Sequence, residues 1–297
     1  MLHLTSRAIF CDGMVPCVTI QETFENATAP QSASAPMPSA MLVFAHPDDE
    51  ALALGARLGR FQTAHIVHVT DGAPRNQQDS RAYGFASLEE YRRARAGELR
   101  HALNMAGLPD AASECLEIPD QEASLQLLPL TRRILRLCIE RRPEVLFTHP
   151  YEGGHPDHDS CAFAVAHAIA LLRLQGEKMP TVIEGTFYHA GPNGIETGCF
   201  LPHPSKPQEV IYPLSPEERL RKQALLACFT TQQETLSCFK VEEERFRIAP
   251  EYDFRRPPHD GQVFYDGFPW GMTSQRFCEL AAEAGNALQE EAMSLCR

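Results

Sequence analysis

The sequence predicts an α/β protein: a doubly wound, mainly parallel sheet with helices on both faces. Three observations carry that prediction. From residue 41 onward, short apolar runs alternate with longer segments of helical period. The first of them, MLVFA at 41–45, is apolar throughout, as expected of a strand covered on both faces. The segments between them are long enough to return the chain to the same edge of the sheet, as parallel neighbours require.

MLVFA at 41–45 is the first strand, and ALALGARLGRF at 51–61 the helix after it. AHIVHVT at 64–70 is the second strand, closed by Asp71-Gly72. The run LEEYRRARAGELRHALNMAG at 88–107 is a long amphipathic helix with Leu88, Tyr91, Leu99, Ala102 and Leu103 on or near one face. Gly107 and Pro109 stop it. ECLEIP at 114–119 is a third strand, and LLPLTRRILRLCIERR at 127–142 a helix ended by Pro143. EVLFTHP at 144–150 is the fourth strand, HDSCAFAVAHAIALLRLQ at 158–175 a further helix, and TVIEGTFYHA at 181–190 the fifth strand. This order predicts a Rossmann-like sheet, in which ligands sit beyond the carboxyl ends of the strands. Chemistry is therefore expected at Ala45–Glu50, Thr70–Ala73, Thr148–His158 and His189.

Residues 1–39 read as an arm. RAIF and VPCVTI flank Cys11-Asp12-Gly13-Met14, a hairpin signal, and NATAPQSASAPMPS at 26–39 reads as a linker. Residues 40–297 form the main domain, ending with an aromatic, proline-rich segment at 245–275. The net charge of −12 argues against nucleic acid as a main partner. No run of eighteen apolar residues or secretory signal is visible, so a cytoplasmic protein without a transmembrane helix is expected. The 10 cysteines are scattered with no CxxC pair, which suits reduced core thiols.

Two clusters carry the chemistry. His46-Pro47-Asp48-Asp49-Glu50 follows the first strand, and His155-Pro156-Asp157-His158 the fourth. In each, the outer pair lies three apart, which on a first helical turn sets both side chains on one face. Pro47 and Pro156 fit that turn, where a missing N–H costs nothing. Imidazole and carboxylate without thiolate suit a borderline divalent cation such as Zn²⁺. Three protein ligands leave an open position, and the surplus carboxylate Asp48 can serve as a base on water that the cation acidifies. Each cluster alone could be a charged helix N-terminus. Together, at the functional edge of one sheet, they point to a metal site.

AHPDDE and GGHPDHDS, as a pair, resemble the LmbE-like, or PIG-L, family of metal-dependent deacetylases that act on N-acetylglucosamine-bearing molecules. VTDGAP at 69–74, RAGEL at 95–99 and RKQALLACFTTQ at 221–232 match in part, so the resemblance covers roughly 41–235. It implies that His46, Asp49 and His158 bind Zn²⁺, with Fe²⁺ suiting the same ligands. Asp48 would be the general base. His155 would stabilise the oxyanion and protonate the leaving amine, and Asp157 would orient and charge His155. Arg95 falls where the family has a substrate-contacting arginine. Some family members carry a tyrosine shortly before the second motif; Tyr151 is displaced from that place and receives no role.

The implied function is hydrolytic removal of acetyl from an N-acetylated amino sugar, the partner being a small amino-sugar conjugate. Alternatives are an amidase for a larger N-acyl or thiol-conjugate amide, and a non-catalytic metal- or sugar-binding module. Of the other residues, His65 and His68 read as structural and Arg92 and Arg93 as a solvated face. Glu242–Glu244 reads as a solvated charge run, while His149 and His189 are candidates to hold ligands from behind. Asp71-Gly72 is a turn that could border a pocket. The aromatics of 252–270 either wrap the core or wall the pocket.

Overall fold

The computed structural model describes residues 19–30, 33–34, 36–108 and 113–295. The expected hairpin around Cys11–Met14 lies outside the described residues. The first element among the described residues is a helix, α1 (Ile20–Thr28), opened by a reciprocal Thr19–Glu22 capping box. It buries Phe24, Ala27 and Thr28, and Thr28 Oγ1 meets Tyr212 Oη at 3.1 Å. The expected linker over 26–39 therefore begins as the end of a docked helix; T-x-x-E at 19–22 was the signal for it.

The chain continues through β1 (Ala40–Phe44), α2 (Asp49–Leu54), β2 (His65–Thr70), α3 (Gln78–Ala82), α4 (Leu88–Met105), β3 (Ser113–Ile118) and α5 (Leu127–Arg141). Next come β4 (Val145–Thr148), α6 (Pro156–Leu174), β5 (Thr181–Gly185), β6 (Tyr188–Gly191), β7 (Gly194–Thr197) and β8 (Glu209–Pro213). The last elements are α7 (Pro216–Leu226), α8 (Gln233–Leu236), β9 (Glu243–Ile248) and α9 (Ser274–Leu295).

Among the described residues, the main sheet has seven strands in the order β3-β2-β1-β4-β5-β9-β8. The first five are parallel, and β9 and β8 add an antiparallel edge. Alternation along β1 divides the core. Leu42 and Phe44 pack with Leu54, Leu99, Leu225 and Phe246 on one face. Met41 and Val43 pack with Leu130, Ile134, Cys161 and Val165 on the other. A third cluster, including Phe163, Phe254, Tyr265 and Phe277, fastens α9 and the segment before it to α6. Chain order reverses between β1 and β4, which lie side by side. The turns after these two strands therefore open into one crevice.

Three sequence expectations change. The helix expected over 51–61 ends at Leu54, and a 3₁₀ turn at Leu58–Arg60 follows. The fifth strand stops at Gly185; Tyr188–Gly191 leaves the sheet and pairs with Gly194–Thr197 as a separate hairpin. Glu242–Glu244 is not a solvated run, because β9 begins inside it. Glu244 is buried, 3.2 Å from Arg57 Nε and 3.1 Å from Lys222 Nζ, and accepts the Ala56 N–H at 2.9 Å. Acidic residues at a buried strand start persist only when paired in this way.

Candidate metal centre

Asp48 caps α2 and His155 caps α6, so both motifs sit where a strand ends and a helix begins. Pro156 occupies the first turn of α6. The two turns meet. His158 Nε2 lies 3.3 Å from His46 Nδ1 and 3.5 Å from Asp49 Oδ1, and His46 Nδ1 lies 3.5 Å from Asp49 Oδ2. A tetrahedral zinc with bonds of about 2.0–2.1 Å spaces its nitrogen and oxygen ligands about 3.3–3.4 Å apart. These three residues thus fit a cation of that size.

The far side of His46 strengthens the fit. Its Nε2 faces Asp120 Oδ1 at 3.2 Å and Asp157 Oδ2 at 3.3 Å, which places the ring proton there and leaves Nδ1 as a lone pair. Burial opposes a charged His46, but Asp120 and the other carboxylates outweigh it and raise its pKa well above the usual histidine value. A more basic imidazole is a better donor to a cation. For Asp49, burial is outweighed by His158 and His149, and its carboxyl is held well below the usual range. His149 lies behind the triad, its ring stacked on His158 at 3.9 Å. Its Nε2 accepts the Ala45 N–H at 2.9 Å, and burial and His158 push its pKa down to about 3. Its Nε2 also lies 3.3 Å from Asp49 Oδ2, one of the contacts that hold that carboxyl low.

Asp48 stands apart from the triad. Its φ of 139° is a conformation that costs a non-glycine residue, of order 1–3 kcal/mol, and it turns the carboxylate toward the cavity. Burial pushes its pKa up to about 7, against the pull of Arg95. Arg95 is turned inward from α4 and fully buried. Its Nη1 donates to Asp48 Oδ2 at 3.1 Å and its Nε to the Gly72 carbonyl at 3.2 Å. Gly72 has φ 62°, and a Cβ there would lie 2.8 Å from the guanidinium. Asp71-Gly72 therefore serves the site through Arg95.

Asp157 lies beside His155 but makes its hydrogen bonds elsewhere. Its Oδ2 is 3.8 Å from His155 Nδ1, and that nitrogen already accepts the Asp157 backbone N–H at 3.2 Å. Its oxygens instead take the backbone N–H groups of Gln121 at 2.6 Å and Ala123 at 2.9 Å. This anchors the loop after β3. The carboxylate that faces His155 Nε2 is Asp120, at 3.8 Å. Burial and His46 push the His155 pKa well below its usual value. Asp157 thus approaches His155 at 3.8 Å, while its hydrogen bonds go to the loop. Asp120 was missed, although the strand-end rule pointed to it: it lies two residues past β3.

The cavity above the triad has a volume of about 290 Å³. His46, Asp48, Asp49, Arg95, Asp120, His155 and His158 all line it. Its other walls are Tyr188, Phe264, Phe268 and Trp270, with an apolar side of Ile195, Leu236 and Phe239. The C-terminal aromatics therefore divide their work: Phe264, Phe268 and Trp270 wall the cavity, whereas Tyr252, Phe254 and Tyr265 pack in or against the core. Tyr188 was read only as part of a strand, yet its ring lies 5.4 Å from that of His158. Gly154 makes this approach possible, since a Cβ there would fall 2.0 Å from the Tyr188 carbonyl oxygen. Tyr151 is in the core, its hydroxyl on the Arg256 carbonyl at 2.8 Å. Glu98 accepts from Thr230 Oγ1, Thr231 N and Thr231 Oγ1 at 2.6, 2.9 and 2.6 Å, which links the RAGEL segment to the loop that presents Gln232 to the cavity.

Residues 41–169, which span both motifs, match the family described as PIG-L, GlcNAc-PI de-N-acetylase. That match covers less than half of the chain. Among curated relatives, "Probable N-acetyl-alpha-D-glucosaminyl L-malate deacetylase 2" of Bacillus anthracis is 29% identical over 137 residues, 44% of this chain and 59% of that protein. The protein of the same name from Bacillus cereus is 30% identical over 151 residues, 48% of this chain and 64% of that one. The chain thus spans less than two thirds of the length of these relatives. Among solved structures, the A40926 pseudoaglycone deacetylase aligns with a TM-score of 0.53 at 17% identity, over 72% of this chain and 99% of that one. The N,N'-diacetylchitobiose deacetylase of Pyrococcus horikoshii aligns with a TM-score of 0.53 at 16% identity, over 76% and 86%. These likenesses show a shared fold that extends beyond the matched segment. Among the described residues, no helix is long and apolar enough to cross a membrane.

Proposed function

We propose that this protein is a metal-dependent hydrolase that removes the acetyl group from an N-acetylated amino sugar, giving acetate and a free amine. The single observation that carries the reading is the His46–Asp49–His158 triangle with the separate carboxylate Asp48 beside it. A binding module needs the triangle but has no use for a strained, buried carboxylate next to it. The relatives' names and the PIG-L match support the substrate class.

His46 Nδ1, Asp49 and His158 Nε2 hold the cation, Zn²⁺ by donor set and spacing, with Fe²⁺ suiting the same ligands. When bound, it supplies Lewis acidity to the amide carbonyl and to the attacking water. Asp48 takes the proton of that water. Arg95 fixes its Oδ2 and leaves Oδ1 free for the transfer. With a pKa near that of the medium, Asp48 can return the same proton to the departing nitrogen, so the reaction balances as water plus amide to acid plus amine. His155 is neutral, and the Asp157 N–H on its Nδ1 sets the ring proton on Nε2. That N–H donates to the oxygen on which negative charge develops. Asp48 thereby replaces His155 as the group that protonates the amine. Trp270 and Phe268 offer a flat apolar surface to the C–H face of a sugar ring.

A second reading is favoured by the apolar wall of Ile195, Leu236 and Phe239, which would accept an N-acyl group larger than acetyl. Both are tested by incubating metal-loaded protein with a panel of N-acetyl sugars and longer N-acyl analogues and detecting amine. Chelator-sensitive release from the acetyl members supports the first reading. Release confined to the longer analogues supports the second, and no release from any member contradicts both.

A further inference from the structure

The hairpin of β6 and β7 holds a second group of donors, away from the cavity. His189 and Glu196 are paired across its two strands, and Cys199 follows two residues after β7. The strands alternate, so Tyr188 and Ile195 face the cavity while His189 and Glu196 face away from it. Gly198, with φ 75°, turns the chain, and its N–H bonds the Phe187 carbonyl at 3.0 Å. This brings Cys199 back over the pair. Cys199 Sγ lies 3.7 Å from His189 Nε2 and 3.5 Å from Glu196 Oε1. His189 Nδ1 donates to the Ala190 carbonyl at 3.1 Å, which leaves the lone pair on Nε2, toward the sulfur.

We propose that His189, Glu196 and Cys199 form a second site for a divalent transition metal, Zn²⁺ by chemistry. The spacing argues for it. Zinc bonds of about 2.3 Å to sulfur and 2.0–2.1 Å to nitrogen or oxygen put sulfur about 3.5–3.6 Å from the other ligands of a tetrahedron. A thiolate in the set selects against Mg²⁺ and Ca²⁺, which prefer oxygen cages. Backbone support for the imidazole through its other nitrogen is the usual way in which a metal-binding histidine is oriented. Glycine at 191 leaves room for the carboxylate, since a Cβ there would lie 2.8 Å from Glu196 Oε2. Glu196 is exposed and Cys199 partly so, which gives a metal access from solvent. Binding releases the Cys199 thiol proton to solvent, with no change in oxidation state. The bound ion would pin the hairpin whose opposite face, through Tyr188 and Ile195, is a wall of the cavity.

Cobalt(II) is the probe, because only a thiolate ligand gives an intense sulfur-to-cobalt charge-transfer absorption. The full-length protein, titrated with Co²⁺, should develop that band and bind two ions per chain. Cys199→Ser should abolish the band and retain one ion. Glu196→Gln, a substitution at an exposed position that leaves folding intact, should weaken the band-forming step roughly tenfold or more. His158→Ala should lose the other ion and keep the band, which separates this site from the proposed catalytic centre. A wild-type protein without the band at saturating Co²⁺, or a band that survives in Cys199→Ser, overturns the proposal.

Discussion

Arg95 Nη1 donates to Asp48 Oδ2 at 3.1 Å, so the residue expected to touch substrate holds the carboxylate proposed as the base. A charge-assisted hydrogen bond of this kind is worth about 1.5–3 kcal/mol. Arg95→Gln should therefore lower kcat by roughly ten- to a hundredfold. Steady-state kinetics on an N-acetyl amino sugar is the check. A raised KM with unchanged kcat would mean that Arg95 serves substrate binding alone.

Trp270 stacks on Phe268, with centroids 4.5 Å apart, and lies 4.8 Å from the ring of His155. Its ring is the largest of the aromatic rings that wall the cavity, and so the broadest face for the proposed sugar. Trp270→Ala should raise KM by roughly two- to tenfold, matching the 0.5–1.5 kcal/mol of an aromatic contact, with a smaller effect on kcat. An unchanged KM across the panel would remove Trp270 from the substrate site.

Glu98 gathers three hydrogen bonds from Thr230 and Thr231 in a buried place. Glu98→Ala leaves those donors without a partner and should cost roughly 2–3 kcal/mol of stability. Urea unfolding of the two proteins measures it. A loss under about 0.5 kcal/mol would show that the loop holds its place without Glu98.

Buried Glu184 supplies a pH prediction. Burial pushes its pKa up to about 7, against the pull of Arg247, whose Nε donates to it at 2.8 Å. A carboxyl with a raised folded pKa binds a proton in the folded state before the unfolded state does, so its contribution to stability grows as pH falls from about 7 toward the ordinary value of about 4.3. Glu184→Gln cannot titrate. The Tm of wild type minus that of Glu184→Gln should become more positive between pH 8 and pH 5. A difference that becomes more negative over that range would reverse the sign and reject the assignment.

The parallel half of the fold was legible because β1, β2 and β4 are short, largely apolar runs followed by a helical or turn signal. The antiparallel edge was not. In β9, Glu243, Glu244, Arg245 and Arg247 hide a buried strand behind charge, and only the pairing of Glu244 with Arg57 and Lys222, residues distant in sequence, makes that burial tolerable. The site divides in the same way. His46, Asp48, Asp49, His155 and His158 lie in two compact motifs, and local spacing announced them. Asp120 and Tyr188 carry no local motif, and reach the cavity only because β3 and the hairpin deliver them there. Asp157 lies beside His155, as sequence adjacency implies, but its hydrogen bonds to the loop after β3 carried no local signal.

The central claim is that a cation held by His46, Asp49 and His158 works with Asp48 as the base. The most direct test is the rate of amine release by metal-loaded Asp48→Asn, with metal content determined on the same sample. Asparagine is nearly isosteric and takes no proton. The account predicts full occupancy of the triad and a rate lower by about 10²–10⁴-fold, the range of general base catalysis. A metal-loaded Asp48→Asn protein that turns over at close to the wild-type rate would contradict it.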